Sequence, residues 1–323
     1  MPKVTILVSV YNAEQYVGKC LDSLLVQTLA DIQVICVDDA STDGSLQTLN
    51  DYASRDHRIV VLHLDTNVGP GKARNEALKL AEGEYTFFLD SDDWLDCDAL
   101  EKAVAVFEAH EKTDCVLFEC RYVFTDGRPS YAYPMPEFEV KSGHEAFIDS
   151  LTWKIHGVYM VRTTIHKQYP YDDTTRTYSD DNTTRVHYYV SREVRQCSGV
   201  YNYLQRDGSV THVADTSRLN YLRANESMRH TLISLGCDDT TLRIYEQQRW
   251  LNLVDTYYFY VKNRSNLSPQ ERTTFLEVMR RYWQQINYSQ RKFGYSHLTS
   301  WHLFRLQEET YFLLRRIHNR KTV

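Results

Sequence analysis

Three aspartates stand within four positions at the end of an apolar run. The segment "YTFFLDSDDW" places Asp90, Asp92 and Asp93 directly after aromatic and aliphatic residues. Carboxylates this close repel one another, so a positive charge among them would lower their energy. Their oxygens suit a divalent cation, which would leave coordination positions open for substrate phosphates. The alternative is that these residues form a turn or cap the next helix, with Asp93 or Asp96 in that role.

The elements that must position these residues alternate in type along the N-terminal part of the chain. Runs rich in β-branched residues predict strands, and segments with helical periodicity lie between them. The predicted strands are 4–10, 32–39, 58–64 and 84–90, and the predicted helices are 12–28, 43–56 and 71–83. Asn12 is the predicted N-cap of the first helix. This alternation predicts parallel βαβ units in an open α/β sheet with helices on both faces.

Ligands of such sheets bind at the carboxyl ends of the strands, where the loops leave a crevice. The first predicted strand ends at Val10 and Tyr11, the second at Asp38 and Asp39, and the fourth at Asp90–Asp93. Asp90 and Asp92 would both point into the crevice if the strand geometry continued through them.

The remaining chain divides into a mixed part and a helical part. The segment 113–124 is strand-like and 185–190 is rich in aromatic residues, and we expect the sheet to be completed in this region. Beyond about residue 215 helical periodicity dominates, with a capping box at Ser268–Glu271. We therefore predict an α/β domain at 1–215 and a helical appendage at 216–323.

Composition limits the classes of protein. The 323 residues carry a net charge of −6, which argues against a nucleic-acid partner. Seven scattered cysteines without CxxC pairs indicate reduced thiols and a cytoplasmic protein. No uncharged apolar run approaches the roughly 20 residues of a membrane-spanning helix. The basic amphipathic segment 301–321 could lie on the inner face of an anionic membrane, although packing on the catalytic domain is the favoured interpretation.

Three segments in this order resemble the blocks of family 2 glycosyltransferases: 4–28, 32–45 and 69–95. A further segment, 199–212, is similar to the one that closes the catalytic domain of that family. The resemblance implies a GT-A fold, a Rossmann-like open and mostly parallel sheet. It also implies inverting transfer from a nucleotide-sugar donor.

The resemblance also implies a set of donor-binding residues. Val10 and Tyr11 would lie along the base, and Asp39 would accept a hydrogen bond from uracil, whereas Asp38 would be structural. Arg74 would lie near the nucleotide, or would be a solvated helix charge. The expected nucleotide-sugar-binding residues are Val10, Tyr11, Asp39, Arg74, Asp90, Ser91 and Asp92.

The "DSDD" segment matches the DXD motif of the family. Asp92 would bind Mn²⁺ or Mg²⁺, Asp90 would contact the ribose or the metal through water, and Asp93 would support the site. A metal there would stabilise the charge of the departing nucleoside diphosphate.

The family places a catalytic base in an acidic pair on the acceptor side. Here "YSDDNTTR" supplies Asp181 as the expected base and Asp180 as its neighbour. The pair departs from the commoner Glu-Asp, and Asp172–Asp173 is a second candidate. His212 could complete the metal site or contact the pyrophosphate, and Arg206 could neutralise phosphate, or both could be ordinary loop residues. His156 could line the acceptor pocket or be structural.

The leading hypothesis is a metal-dependent inverting glycosyltransferase. It would move a sugar from a UDP-sugar to a glycan or lipid-linked acceptor in bacterial surface-polysaccharide assembly. An alternative is a nucleotide-sugar-binding or regulatory module without turnover, which the unusual acidic pair motivates. A nucleotidyltransferase would share the sheet, but its glycine-rich basic loop is missing. The sugar, the acceptor, the linkage and the oligomeric state stay open.

Overall fold

The computed structural model describes residues 1–178, 180–205 and 215–286. Contacts divide the chain into two compact units, Met1–His212 and Val213–Val323. The sequence places its boundary close to this division, between residues 215 and 216.

The first unit is built around one ten-stranded sheet with helices between its strands. The strands are β1 Val4–Val10, β2 Ile32–Asp38, β3 Ile59–His63, β4 Tyr85–Phe88, β5 Trp94–Leu95, β6 Thr113–Phe124, β7 Tyr131–Ala132, β8 Lys141–Ser142, β9 Tyr159–Arg162 and β10 Glu193–Gln205. The helices are α1 Glu14–Leu25, α2 Ser45–Arg55, α3 Pro70–Lys79, α4 Ala99–Ala109, α5 Gly143–Leu151, α6 Thr163–Gln168 and α7 Asp180–Val190.

The strand order is β3-β2-β1-β4-β9-β6-β10-β5. β1 pairs in parallel with both β2 and β4, and β2 pairs in parallel with β3. β9 is antiparallel to its neighbours β4 and β6. The predicted open, mostly parallel α/β sheet is therefore confirmed. Because the chain leaves β1 toward β2 on one side and reaches β4 on the other, the carboxyl end of β1 is a topological switch point, where such sheets bind ligands.

The core explains why these segments form strands and helices. β1 and β2 are buried along almost their whole length, as expected for strands covered on both faces. Helix α1 places Val17, Leu21 and Leu24 against the sheet, at the spacing of one helical face. The buried apolar set fixes the register, and with it the loops at the carboxyl edge.

One local prediction is wrong. Asn12 does not cap α1: its φ is +49°, and the cap position belongs to Ala13. The first backbone N–H groups instead donate to side chains at the start of α2. The N–H of Ala13 donates to Ser45 Oγ, and the N–H of Glu14 donates to the Asp43 carboxylate. The sheet is completed between residues 100 and 215 by β6, β9 and β10, but the aromatic segment 185–190 lies in α7. Its aromatic residues pack inward from a helix face, which composition alone does not distinguish from a strand.

The second unit is helical in its described part. It contains a 3-10 turn, Thr216–Leu219, and the helices α8 Asn220–Ser234, α9 Asp239–Asn263 and α10 Pro269–Gln285. The predicted capping box is confirmed, since Ser268 and Glu271 cap α10 reciprocally with Pro269 at the first helical position. Segment 301–321 lies outside the described residues. Within the described part, none of the helices is long and apolar enough to span a bilayer.

Candidate functional site

The acidic residues after β4 form a turn. β4 ends at Phe88, and the backbone N–H of Asp93 donates to the carbonyl oxygen of Asp90 at 3.0 Å. The strand geometry therefore does not continue through Asp92, and the alternative interpretation, a turn, describes this segment. Asp90, Ser91 and Asp92 are partly exposed in this turn, whereas Asp93 is fully buried.

Asp93 fixes the turn to β10. Its Oδ2 accepts a hydrogen bond from the Tyr201 hydroxyl, and its Oδ1 accepts one from the Leu204 N–H at 2.7 Å. The same hydroxyl accepts a longer bond, 3.4 Å, from the Asp90 N–H. Burial, with the nearby charges of Asp90 and Asp92, raises the pKa of Asp93 well above its usual range. Asp93 thus holds the turn in place, and Tyr201 is a supporting residue to which the sequence assigned no role.

Negative charge accumulates beside this turn. Burial first, and then Asp90, Asp93 and Asp92, raise the pKa of Tyr203. The described residues contain no group of three His, Cys, Asp or Glu side chains arranged to hold a metal ion. Mg²⁺ and similar ions are often held by one or two carboxylates together with substrate phosphates and water. The partly exposed Asp90 and Asp92 fit such a shared site, and they do not fit a cation held by protein ligands alone.

Arg74 lies against the turn. It is buried on α3, and its Nη2 donates to Asp90 Oδ1. Its guanidinium lies over the rings of Phe88 and Tyr171, with distances of 4.8 and 5.5 Å to the ring centroids. Its Nε has no hydrogen-bond partner among the described residues. A solvated helix charge would show none of these features, so that alternative does not hold, and the expected position of Arg74 near the nucleotide stays a prediction.

Two carboxylates lie at the end of β2: Asp38 is its last residue and Asp39 follows it, and both are buried. Asp39 accepts hydrogen bonds from the N–H groups of Val68 and Gly69, at 2.7 and 2.8 Å, and so fixes the start of α3. Asp38 contacts the Nδ1 of His63 at 2.8 Å, in keeping with a structural role. Each carboxylate oxygen of Asp39 has a second lone pair that can accept a further hydrogen bond. The expected hydrogen bond from uracil to Asp39 therefore stays a prediction.

The end of β1 borders the same edge of the sheet. Val10 is fully buried, whereas Tyr11 is 51% exposed. The carbonyl oxygen of Val10 accepts a hydrogen bond from the N–H of Asp39 at 2.8 Å, which joins the two loops. Of the two residues expected along the base, only Tyr11 presents its side chain to solvent.

The acceptor-side carboxylates lie in the first turn of α7. Asp180 is exposed, and the side chain of Asp181 is 19% exposed. Asp181 Oδ2 lies 3.8 Å from the guanidinium of Arg185, one helical turn further. Burial raises the pKa of Asp181 to about 7, with Arg185 lowering it and Asp180 raising it. Asp181 borders a small pocket with a volume of about 10 Å³, which is room for about one water-sized group.

The competing pair Asp172–Asp173 has a different environment. Asp172 accepts hydrogen bonds from the N–H and hydroxyl of Thr174 and from the side-chain amide of Asn182. These contacts use both of its oxygens to shape the loop before α7. Asp173 is exposed. The geometry therefore favours Asp181 over this pair as a proton acceptor.

One helix ties the two acidic regions together. Asn75 of α3 exchanges two hydrogen bonds with the backbone of Tyr171, at 2.8 and 2.9 Å. Burial lowers the pKa of the adjacent Arg74, but the nearby Asp90 and, to a smaller extent, Tyr171 and Asp180 raise it above its ordinary value. Helix α3 thus contacts the turn after β4 through Arg74 and the segment that leads to α7 through Asn75.

Three other residues from the sequence are placed as follows. Arg206 and His212 lie outside the described residues. His156 is buried and borders the Asp181 pocket, and burial lowers its pKa to about 4.

Sequence comparison gives partial matches to bacterial glycosyltransferases. The chain is 48% identical over 101 residues to the poly(ribitol-phosphate) beta-glucosyltransferase of Bacillus spizizenii, covering 30% of this chain and 16% of that protein. It is 30% identical over 228 residues to the glycosyltransferase EpsJ of Bacillus subtilis, covering 66% of this chain and 64% of that protein. The chain spans between 14% and 34% of the length of three curated relatives that it matches.

Structural comparison and the family profile agree with these matches. The crystal structure of Staphylococcus aureus TarS 1-349 in complex with UDP-GlcNAc superposes with a TM-score of 0.71 at 24% identity, covering 88% of this chain and 82% of that chain. At this identity the likeness shows the fold, which is the GT-A fold expected from the sequence. The profile described as Glycosyl transferase family 2 matches residues 5–169, about half of the chain. The protein with the acidic turn after β4 therefore belongs to glycosyl transferase family 2.

Proposed function

We propose that this protein is a metal-dependent, inverting glycosyltransferase. It moves a sugar from a UDP-sugar to a glycan or lipid-linked acceptor in the assembly of a cell-surface polysaccharide. One observation carries the proposal: buried Arg74 of α3 pairs with Asp90 of the acidic turn, and its guanidinium also lies over the ring of Tyr171, in the segment that leads to α7. A donor diphosphate and an acceptor hydroxyl would therefore meet around one fixed cation.

The donor half uses the carboxyl edge of β1, β2 and β4. Tyr11 would lie along the base, and Asp39 would bind it while holding the start of α3. Asp92 and Asp90 would hold Mn²⁺ or Mg²⁺, which supplies charge stabilisation to the departing diphosphate. Arg74 would add a second positive charge at the same place. The UDP-GlcNAc complex of TarS, a protein with the same fold, supports a UDP-sugar as the donor.

The acceptor half uses Asp181. Inverting transfer needs a base that removes the proton of the attacking hydroxyl as the new bond forms. A carboxylate with a pKa raised to about 7 is a stronger base than an ordinary aspartate. The pocket beside Asp181 would receive the hydroxyl, and Asp180 would stay outside the proton transfer as a neighbouring charge.

A turnover assay tests the donor half. The protein is incubated with UDP-glucose, UDP-galactose and UDP-GlcNAc in the presence of Mn²⁺, and released UDP is measured. We expect release by the wild type and its loss in Asp92→Ala. Asp31→Ala is the matched control, because Asp31 is an exposed aspartate at the opposite end of β2. Equal turnover by the wild type and Asp92→Ala would refute the assignment of the acidic turn.

The alternative module would give another result. Metal-dependent binding of UDP together with no UDP release from any of these sugars would indicate a protein that binds the donor without turnover. Contact of segment 301–321 with a membrane remains a separate prediction, which sedimentation with vesicles of anionic lipid would test.

A further inference from the structure

Trp153 has a backbone conformation that is unusual for its size. It lies in the turn after α5 with a φ of +59°, in the left-handed region. A bulky residue adopts this region only when its surroundings impose it, and such residues concentrate at functional sites. The Trp153 N–H donates to the carbonyl oxygen of Ser150 at 3.3 Å, and its own carbonyl oxygen accepts a bond from the Tyr133 hydroxyl. The strained turn is therefore held from both sides.

The indole does not fill the core. Trp153 is 45% exposed, whereas the large aromatic residues of the sheet, such as Phe87 and Phe118, are buried. Its side chain borders the same pocket as Asp181, Arg185 and His156. The chain thus accepts an unfavourable backbone conformation and presents a large apolar ring beside the candidate base.

One cation joins the ring to the carboxylate. The guanidinium of Arg185 lies 5.7 Å from the centroid of the Trp153 ring, and the same group lies 3.8 Å from Asp181 Oδ2. Arg185 is itself buried, so its position between the two is fixed. The pocket therefore combines an apolar face, a hydrogen-bond donor and a proton acceptor.

This combination matches a sugar ring. The C–H face of a sugar packs on an aromatic ring, while its hydroxyl groups need donors and acceptors at the edge. The recess beside Asp181 has a volume of about 10 Å³, which is room for about one water-sized group. It suits a single hydroxyl group, with the sugar ring itself outside the recess on the exposed indole.

We infer that Trp153 is the platform on which the sugar ring of the acceptor rests, with the attacking hydroxyl directed toward Asp181. The inference rests on the proposed function, of which it specifies the acceptor side. It makes Trp153 a determinant of acceptor binding that takes no part in donor binding.

Ligand-observed saturation-transfer NMR tests this with three defined probes: methyl β-D-glucopyranoside, methyl β-D-galactopyranoside and methyl N-acetyl-β-D-glucosaminide. Trp153→Gly removes the ring and also relieves the positive φ, because glycine adopts that region freely. Trp153→Phe keeps an aromatic face. Tyr258→Ala is the control, since Tyr258 is an exposed aromatic residue of α9.

We expect at least one glycoside to bind the wild type and Tyr258→Ala equally, and to bind Trp153→Gly at least tenfold more weakly, with Trp153→Phe in between. The melting temperature of Trp153→Gly should not fall below that of the wild type by more than a few degrees. Equal binding by Trp153→Gly and the wild type, or no binding of any probe to the wild type, would overturn the inference.

Binding of UDP with Mn²⁺, measured on the same samples, separates this inference from the proposed function. Trp153-dependent glycoside binding without UDP binding would leave the platform in place and contradict the donor half. If UDP bound normally and the Trp153 variants bound the glycosides like the wild type, only the inference about Trp153 would be contradicted.

Discussion

Two acidic regions of the first unit satisfy their buried carboxylates differently. In the turn after β4, both oxygens of Asp93 accept hydrogen bonds, from Tyr201 and from the Leu204 N–H. At the start of α7, Asp181 lies 3.8 Å from Arg185, which is beyond hydrogen-bond distance, and faces a pocket. Asp93 is therefore a framework residue that fixes its neighbours, whereas Asp181 fits the role proposed for it as the base. Burial raises the pKa of both carboxyls, so the partners of their oxygens, and not burial, distinguish the two environments.

Removing the proton acceptor should have the largest effect. Asp181→Asn keeps the shape of the side chain and removes the base, so we expect the transfer rate to fall by about 10²- to 10⁴-fold. Binding of UDP should not change, because Asp181 lies outside the donor half. Steady-state transfer assays and calorimetry measure the two quantities.

The exposed Asp173 provides the matched control for this variant. Asp173→Asn should transfer sugar at nearly the wild-type rate. If Asp173→Asn lost as much activity as Asp181→Asn, the base would have to be assigned to the other acidic pair.

Removing the hydrogen bond between Tyr201 and Asp93 should lower the stability of the protein. Tyr201→Phe leaves Asp93 Oδ2 buried without its donor, so we expect the free energy of unfolding to fall by about 1–3 kcal/mol. Urea denaturation measures this change. Tyr131→Phe, at an exposed tyrosine of the same unit, should unfold like the wild type. Equal stability of the two variants would show that the Asp93 contact does not hold the turn.

The pH dependence of activity tests the difference between Asp93 and Asp181 through an effect smaller than that of the substitutions. The pKa of Asp181 is raised to about 7, and the base acts only when deprotonated. The value of kcat/KM should therefore rise with pH up to about 7 and level off above it, falling about tenfold per pH unit below. A profile that stays flat down to about pH 5 would contradict the raised pKa of this base.

The same carboxyl gives a stability signal of defined sign. Its folded pKa lies above the ordinary value of 3.8, so the folded state binds the proton more tightly than the unfolded state between about pH 4 and pH 7. Its contribution to the free energy of unfolding should decrease as the pH rises through that window. Asp181→Asn should lack this part of the pH dependence in thermal melts, and an identical slope in both proteins would contradict the shift.

Much of the fold could be predicted because its signals are local. The predicted bounds of β1 and of the strand 113–124 agree with the structure, since buried runs of β-branched and apolar residues end at clear polar positions. The wrong N-cap at Asn12 has a different cause. It depends on contacts with distant residues, such as Ser45 Oγ with the Ala13 N–H, which local pattern does not contain.

The candidate site also contains some residues that the sequence indicates and others that it does not. Asp90 and Asp92 stand out in the sequence because carboxylates clustered after a strand are visible there, whereas Asp181 follows from the resemblance to the acidic pair of the family; their roles stay predictions. Tyr201 could not, since its partner Asp93 is 108 positions away. The special position of Trp153 depends on a backbone angle that no residue pattern indicates.

The most direct test of the separate donor and acceptor roles of the two acidic regions is calorimetry of UDP with Mn²⁺ on two variants, Asp92→Asn and Asp181→Asn. We predict that Asp181→Asn binds UDP like the wild type, and that Asp92→Asn loses the part of the binding that depends on the metal. Unchanged metal-dependent binding in Asp92→Asn would contradict the claim that the turn after β4 holds the diphosphate of the donor.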